Sequence, residues 1–350
     1  MRAMDDEAAG PDRGPRVGSR VVVRHRLERP DLLTGATLTD VVGELVASDA
    51  EALLVRTRRG EVRVPRPLVT VVKEVPPAPS RRGAPHRALS VEGLQRVMVE
   101  AWPAVETARL GDWLLRASGG FTHRANSVVT VGSPGMPVPD ALDAVERWYA
   151  ARGLPPDVTV AVPLEADVHD DPVAVEALAR GWAPRVPTLT LTAPTRLLAH
   201  HPRPDRPGGP HRVGDVQGVE VGGELTPQWF EAFRSYRTVD DEAVARAVLT
   251  GSPAQVFATA RDEGGRVVGI GRLAVAAAWG GVAAMWVAPD ARRRGVASAV
   301  LAALAGAAGR AGAASVHLQT DSDNTAALRL FEGHGFERHH AYVNLRRLAG

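Results

Sequence analysis

The sequence predicts an α/β (α+β) protein with a mixed central sheet, preceded by a small all-β barrel. Three observations point to it. Short β-branched runs separated by Gly, Pro and Asp fill residues 17–75, and strand-like and helix-like patterns alternate over 88–199 and again over 214–350. The stretch from Met285 to Ser298 then reads as a buried strand, a basic glycine loop and a helix. The order expected is a disordered tail (1–16), the barrel (17–75), a linker (76–87), a first α/β unit (88–199), a second linker (200–213) and a last α/β unit (214–350).

The barrel strands are expected at 21–23, 37–46, 53–57, 62–64 and 69–72, with Gly43, Asp49, Gly60 and Pro65 as turn signals. No Phe, Trp or Tyr precedes Trp102, so a peptide groove or a base-stacking platform, both built from aromatic rings, is not expected here. Proline then dominates the first linker.

Composition narrows the chemistry. With 350 residues, 45% apolar and 23% charged, the chain can bury a sizeable core, and no window approaches 18 uninterrupted apolar residues. A soluble, cytoplasmic protein with no membrane partner is expected. There is no cysteine, which excludes disulfides, thiolate nucleophiles and cysteine-ligated metal sites. The 42 basic and 40 acidic residues nearly cancel, so no basic footprint points to nucleic acid. Lys73 is the only lysine, an arginine bias most simply explained by a G+C-rich genome.

In the first α/β unit, Ser90 caps a helix with Leu94, Val97, Met98 and Ala101 on one face. Strands follow at 112–117 and 127–131, Asp140 caps a second helix, and a strand (158–162), a helix (172–180) and a strand (188–192) complete the unit. The loop between the first two strands offers Thr122, His123, Arg124 and Asn126 as cleft-lining candidates. His123 has no metal-ligand spacing, and no metal site is expected. His200, His201 and His211 flank a Pro/Gly-rich linker.

In the last unit, Thr226 and Pro227 open a helix carrying Trp229, Phe230, Phe233 and Tyr236, and a second helix spans 241–249. A hairpin crosses Glu263-Gly264-Gly265, Gly280-Gly281 turns the chain into a strand ending at Val287, and Asp321 or Asp323 caps a later helix. Between these lies an anion cradle: Arg292, Arg293 and Arg294, then Gly295, with Val296, Ala297 and Ser298 starting a helix. A helix N-terminus carries partial positive charge and disfavours added cations by roughly 0.3–1 kcal/mol each. A phosphate or pyrophosphate on the free N–H groups would offset that.

Arg292, Gly295 and Ala297 fall at the spacing of the Q/R-x-x-G-x-G/A signature, and Asn324 to Phe336 resembles the N-x-x-A-x-x-L-Y-x-x-x-G-F segment, of GNAT-type N-acetyltransferases. The resemblance covers 214–348. It implies a GNAT fold with a splayed strand, and acetyl-CoA as co-substrate. The pyrophosphate would lie on Arg292 to Ser298, Val287 would align the pantetheine, and Asn324 and Phe331 would approach the coenzyme arm. The acceptor implied is a primary amine of a small molecule or protein. Phe331 stands where the family often has a proton-donating tyrosine, leaving Tyr342 as the substitute. A general base stays open among Glu224, Asp240, Asp241, Glu242 and a water chain. Residues 88–199 look like a degenerate first copy that binds no coenzyme, and the barrel resembles the SH3-like domain of actinobacterial acetyltransferases. The alternative is a non-catalytic acyl-CoA-binding regulatory protein.

Overall fold

The computed structural model describes residues 17, 19–30, 35–57, 60–74, 84–199 and 216–347; the expected tail, the second linker and most of the first linker lie outside them. The chain divides into two compact units, Met1–Ser80 and Arg81–Gly350. In the first, β1 (Arg20–Arg26), β2 (Leu38–Ser48), β3 (Ala52–Thr57), β4 (Gly60–Pro65) and β5 (Val69–Glu74) form an antiparallel sheet in the order β4-β3-β2-β1-β5. Alternating residues supply its core: Val21, Val23, Leu45, Leu53, Val55 and Val64 are all buried. Gly43 lets two strands touch, since a Cβ there would lie 2.3 Å from the Arg56 carbonyl oxygen.

The second unit opens with α1 (Val91–Ala101), whose Ser90 cap accepts a hydrogen bond from the Gly93 N–H. Then come β6 (Glu106–Leu110), β7 (Trp113–Ala117), β8 (Val128–Val129), α2 (Val138–Ala150), β9 (Asp157–Pro163), α3 (Pro172–Ala179), β10 (Ala183–Pro184), β11 (Thr188–Pro194) and α4 (Thr195–Ala199). The last part comprises β12 (Val216–Gly222), α5 (Pro227–Arg234), α6 (Glu242–Thr250), β13 (Gln255–Asp262), β14 (Val267–Ala276), β15 (Trp279–Val287), α7 (Val296–Arg310), β16 (Ser315–Asp321), α8 (Thr325–Gly333) and β17 (Glu337–Arg346).

All twelve strands of this unit join one mixed sheet, ordered β12-β13-β14-β15-β16-β11-β17-β9-β8-β7-β6, with β10 beside β17. The two halves exchange their final strands. β11, from the first half, lies antiparallel between β16 and β17, while β17, from the second half, pairs with β9. Parallel β15 and β16 pair from Trp279↔Ser315 to Val282↔Leu318, after which β15 runs on to Val287 without β16 beside it. The splayed strand is therefore present.

Adjacent glycines of β15 show which helix covers which face. A Cβ on Gly280 would press on Ala308 of α7, and one on Gly281 would lie 2.7 Å from the Ala101 Cβ of α1, so α1 and α7 cover opposite faces. Gly280 and Gly281 serve close packing; the turn expected there falls on Ala277 and Ala278, with φ 47° and 59°. Arg272 of β14, fully buried, faces α1. It donates to the carbonyls of Ala101 (2.9 Å) and Leu249 (2.7 Å) and to Ser252 Oγ (2.7 Å), so one guanidinium binds the C-terminal ends of α1 and α6. Burial lowers its pKa to about 9, which leaves it charged at neutral pH.

Two capping expectations change. α2 starts at Val138 behind Pro137, so Asp140 sits inside its first turn, and α8 is capped by Asn324, whose side chain accepts from the Ala327 N–H. β6, β10 and α4 are additional to the elements expected.

At the start of β9, buried Asp157 accepts from Asn344 Nδ2 of β17 at 2.6 Å. Burial raises its carboxyl to about pH 7, against weaker lowering by Asn344 and nearby arginines. Because the folded state holds this proton more tightly, the contribution is fully present below pH about 4 and is lost as pH rises through 7. Asp157→Asn is accordingly expected to match the parent near pH 4 and to exceed it in stability increasingly up to pH about 7, then level off. Urea unfolding of both proteins across that range checks the difference.

Candidate active site

Exposure along β15 changes where the splay begins: Trp279 to Val282 are buried, and Ala283 to Val287 are half-buried. At the same point the strand bulges at Ala284, a non-glycine residue with φ 52°, as its register to β14 shifts. Beyond it, a short turn at Pro289–Ala291 leads into exposed Arg292, Arg293 and Arg294. Arg292 Nε donates to the Val287 carbonyl at 3.3 Å, tying the loop to the strand end. Arg293 (φ 66°) and Gly295 (φ 81°) are both left-handed, and α7 starts directly after Gly295. The first N–H groups of α7 have no partner within the helix, so they and the arginines form a cationic lip. This loop fits an anionic group such as a pyrophosphate.

On the opposite lip, Asn324 is exposed and caps α8 beyond the end of β16. Phe331 is buried against Phe336, with ring centroids 5.7 Å apart. The sequence-predicted coenzyme residues thus divide. Val287, Arg292 to Gly295, Ala297 and Ser298 lie along the strand end, loop and helix start, Val296 turns its side chain into the core, Asn324 stands beyond the end of β16, and Phe331 belongs to the core under α8.

A cavity of about 20 Å³ opens beneath α1, lined among others by Gln95, Trp102, Arg116, Arg124, Gln319 and Tyr342. Gln319 lies one residue past the last β15–β16 pair, so the cavity adjoins the splay. Arg124 Nη1 donates to Gln319 Oε1, and the Arg124 guanidinium lies 4.8 Å from the Trp102 ring. Gln319 Nε2 in turn donates to His317 Nδ1 at 2.9 Å. Arg116 donates to the carbonyl and hydroxyl of Ser127, both at 2.9 Å. Burial lowers the pKa of both arginines, that of Arg116 to about 10. Burial also holds His317 and His340 at about 3, so both are neutral at physiological pH. Gln95 reaches His340 at 2.9 Å.

Tyr342, the expected proton donor, is 4% exposed and packs among Leu94, Val97 and Met98. Burial pushes its hydroxyl above the ordinary value, opposed by Arg124, so it stays protonated. Its strand stands two places from β16, about 10 Å. Of the loop candidates, Arg124 enters the cavity and exposed His123 stands outside it. Thr122 accepts from Trp102 Nε1, while buried Asn126 shapes the loop by bonding Ser118, Gly120, Phe121 and Thr122. Asp241 is spent capping α6, and Glu242 bonds Arg246. Sequence reasoning missed Gln95, Trp102, Arg116 and Gln319; a buried arginine in a strand was a signal for Arg116.

Residues 90–345 match the family model described as "Probable histone acetyltransferase Rv0428c C-terminal", and residues 15–73 match "Rv0428c N-terminal Sm-like domain". The chain belongs to this family of GNAT-type acetyltransferases. It is 31% identical over 335 residues to the probable histone acetyltransferase Rv0428c of Mycobacterium tuberculosis, covering 93% of this chain and 94% of that protein. It is 26% identical over 254 residues to the uncharacterized N-acetyltransferase YobR of Bacillus subtilis, covering 70% of this chain and 94% of that one. A GCN5-related N-acetyltransferase from Kribbella flavida shares the fold, with TM-score 0.54, 18% identity and coverage of 74% of this chain and 96% of that one. The chain is therefore an acyltransferase of GNAT fold, and its small β unit corresponds to the domain described as Sm-like.

The two glycines of this region answer different constraints. A Cβ on Gly295 meets nothing within 4 Å, so Gly295→Ala is expected to cost only about 1 kcal/mol of left-handed strain. Gly281→Ala, which must displace Ala101 and His317, is expected to cost about 2–3 kcal/mol. Urea denaturation of the two variants compares them.

Proposed function

We propose that the protein transfers an acetyl group from acetyl-CoA directly to a primary amine in a ternary complex. The observation that carries this reading is the strand edge opened beyond Val282, which leads into a left-handed glycine loop and an uncapped helix start. Acetyl-CoA, when bound, supplies a thioester whose acyl carbon an uncharged amine can attack. Arg292 to Ser298 would hold its pyrophosphate, Val287 and Asn324 would flank the pantetheine arm, and Phe331 would keep the wall beside it apolar. The amine would approach from the α1 face, where the cavity holds Tyr342 and Gln319.

Tyr342 is the proposed proton donor. Its distance from β16 calls for a relay, and a cavity of about 20 Å³ is large enough for one water. No carboxylate lines that cavity among the described residues, so the amine would be taken up in its neutral form. Residues 88–199 are read as a degenerate copy of the catalytic fold, and the barrel as an accessory SH3-like or Sm-like module in a cytoplasmic enzyme without a metal. Coenzyme binding without catalysis is the second reading, favoured by the burial of Phe331 where a donor tyrosine is usual.

Purified protein is expected to bind acetyl-CoA by calorimetry and to release free thiol with at least one member of an amine panel. Gly295→Glu should abolish binding with the fold intact; unchanged affinity removes the cradle assignment. Tyr342→Phe is expected to lower kcat about 10- to 100-fold with KM for acetyl-CoA unchanged. An unaltered kcat would dismiss Tyr342, and tight binding without thiol release from any amine would favour the second reading.

A further inference from the structure

Many arginines of this unit are neutralised on its surface: Arg87 by Glu337, Arg152 by Glu106, Arg180 by Asp143 and Glu176, Arg266 by Asp262 and Asp290. Around the α1-face cavity the pattern reverses. Among the described residues, Arg116 and Arg124 stand within 4.0 Å of no carboxylate; their partners are Ser127, Gln319 and the Trp102 ring. Further guanidiniums surround the loop that carries Arg124. Arg185, bonded through its N–H to the Asn344 carbonyl, Arg346 at the end of β17 and Arg237 behind α5 all act on His123. Arg237 also acts on Arg124 and lies 5.7 Å from the Tyr236 ring, which stacks on Trp286 of the splayed strand. Asp321, at the end of β16, is the carboxylate acting on both His123 and Arg124.

We propose that the rim of this cavity, outside the space the relay water fills, forms an anion subsite with the half-buried Arg124 at its centre, and that the acceptor is a small amine bearing a carboxylate. The inference rests on the acetyl-transfer reading and names its substrate class. A half-buried guanidinium held by a neutral amide and an indole has lost part of its water without a carboxylate in contact. A planar carboxylate can accept two parallel N–H bonds from such a fork, which both offsets that cost and fixes where the amine points. The cavity adjoins the splay at Gln319, so a carboxylate held there places an amine a few bonds away toward the acyl site. A lysine-rich tail would bring positive charge against five guanidiniums faced by two acids, Asp321 and the Asp157 carboxyl that acts on Arg116.

The experiment compares an α-amino acid, its carboxamide, its decarboxylated amine and a lysine-rich peptide at saturating acetyl-CoA. Calorimetric binding of the N-acetylated amino acid and of its amide to the CoA-loaded protein is measured in parallel. Expected is a kcat/KM for the acid about 30-fold or more above its carboxamide, with the same order in product binding. Arg124→Met should bring that ratio near one through KM for the acid, with Arg124→Lys partly restoring it. Exposed Arg237→Gln, chosen because it should fold normally, is expected to shrink the ratio about threefold and more at low salt. Equal use of acid, amide and peptide, with acetyl-CoA bound and transfer occurring, overturns the anion subsite and leaves the acetyl-transfer reading standing. Absence of both acetyl-CoA binding and transfer removes that reading and this inference together.

Discussion

The insertion of β11 between β16 and β17 is the constraint on which the second unit depends. Strand register is fixed by side-chain alternation, so Thr190, paired with both Gln319 and His340, assigns faces along these strands up to the register shift between Thr190 and Leu191, where His339 is passed over. Thr190, His340, Tyr342, His317 and Gln319 then point toward α1, and the cavity follows from that register. The exchange also means that neither half completes its own sheet. A chain cut between them would expose long strand edges, a strongly disfavoured state.

The same sheet places the glycine loop and the α1-side cavity on different faces. The cradle begins where β15 leaves β16, and α7, which it introduces, covers the face opposite α1. In the proposed reaction, donor and acceptor would approach the splay from opposite sides and meet where the sheet has a gap. Arg272 stiffens the α1 side. By gathering Ala101, Leu249 and Ser252 on one buried guanidinium it fixes the ends of α1 and α6 against β14, just below Trp102. Removing one partner of such a charge network leaves acceptors buried and unbonded, which makes it a rigid support instead of a mobile lid.

How much of this the sequence showed depends on whether the signal is local. The cradle was legible because strand, left-handed glycine and helix start are neighbours along the chain, and each carries its own residue preference. The five barrel strands were legible for the same reason, through Val and Thr runs between turn residues. Gly280 and Gly281 were misread as a turn because glycine serves turns and close packing alike. Only the tertiary contacts with Ala101 and Val316 separate the two uses. The alanine turn at 277–278 breaks the usual residue preference and could not be anticipated from it.

The α1-side cavity was nearly invisible for a deeper reason. Arg116, Arg124, Gln319 and Tyr342 come from β7, a loop, β16 and β17, and no spacing links them; only the exchanged strand order brings them into one cavity. A backbone-built anion site can be read from one stretch because its donors are N–H groups of consecutive residues. A side-chain-built site is distributed, and its charge is judged only against the partners that folding supplies. In a chain with 42 basic residues, arginine at two positions says little. A buried Arg116 and a half-buried Arg124, held by a hydroxyl, an amide and an indole instead of a carboxylate, are a signal that only the folded partners supply.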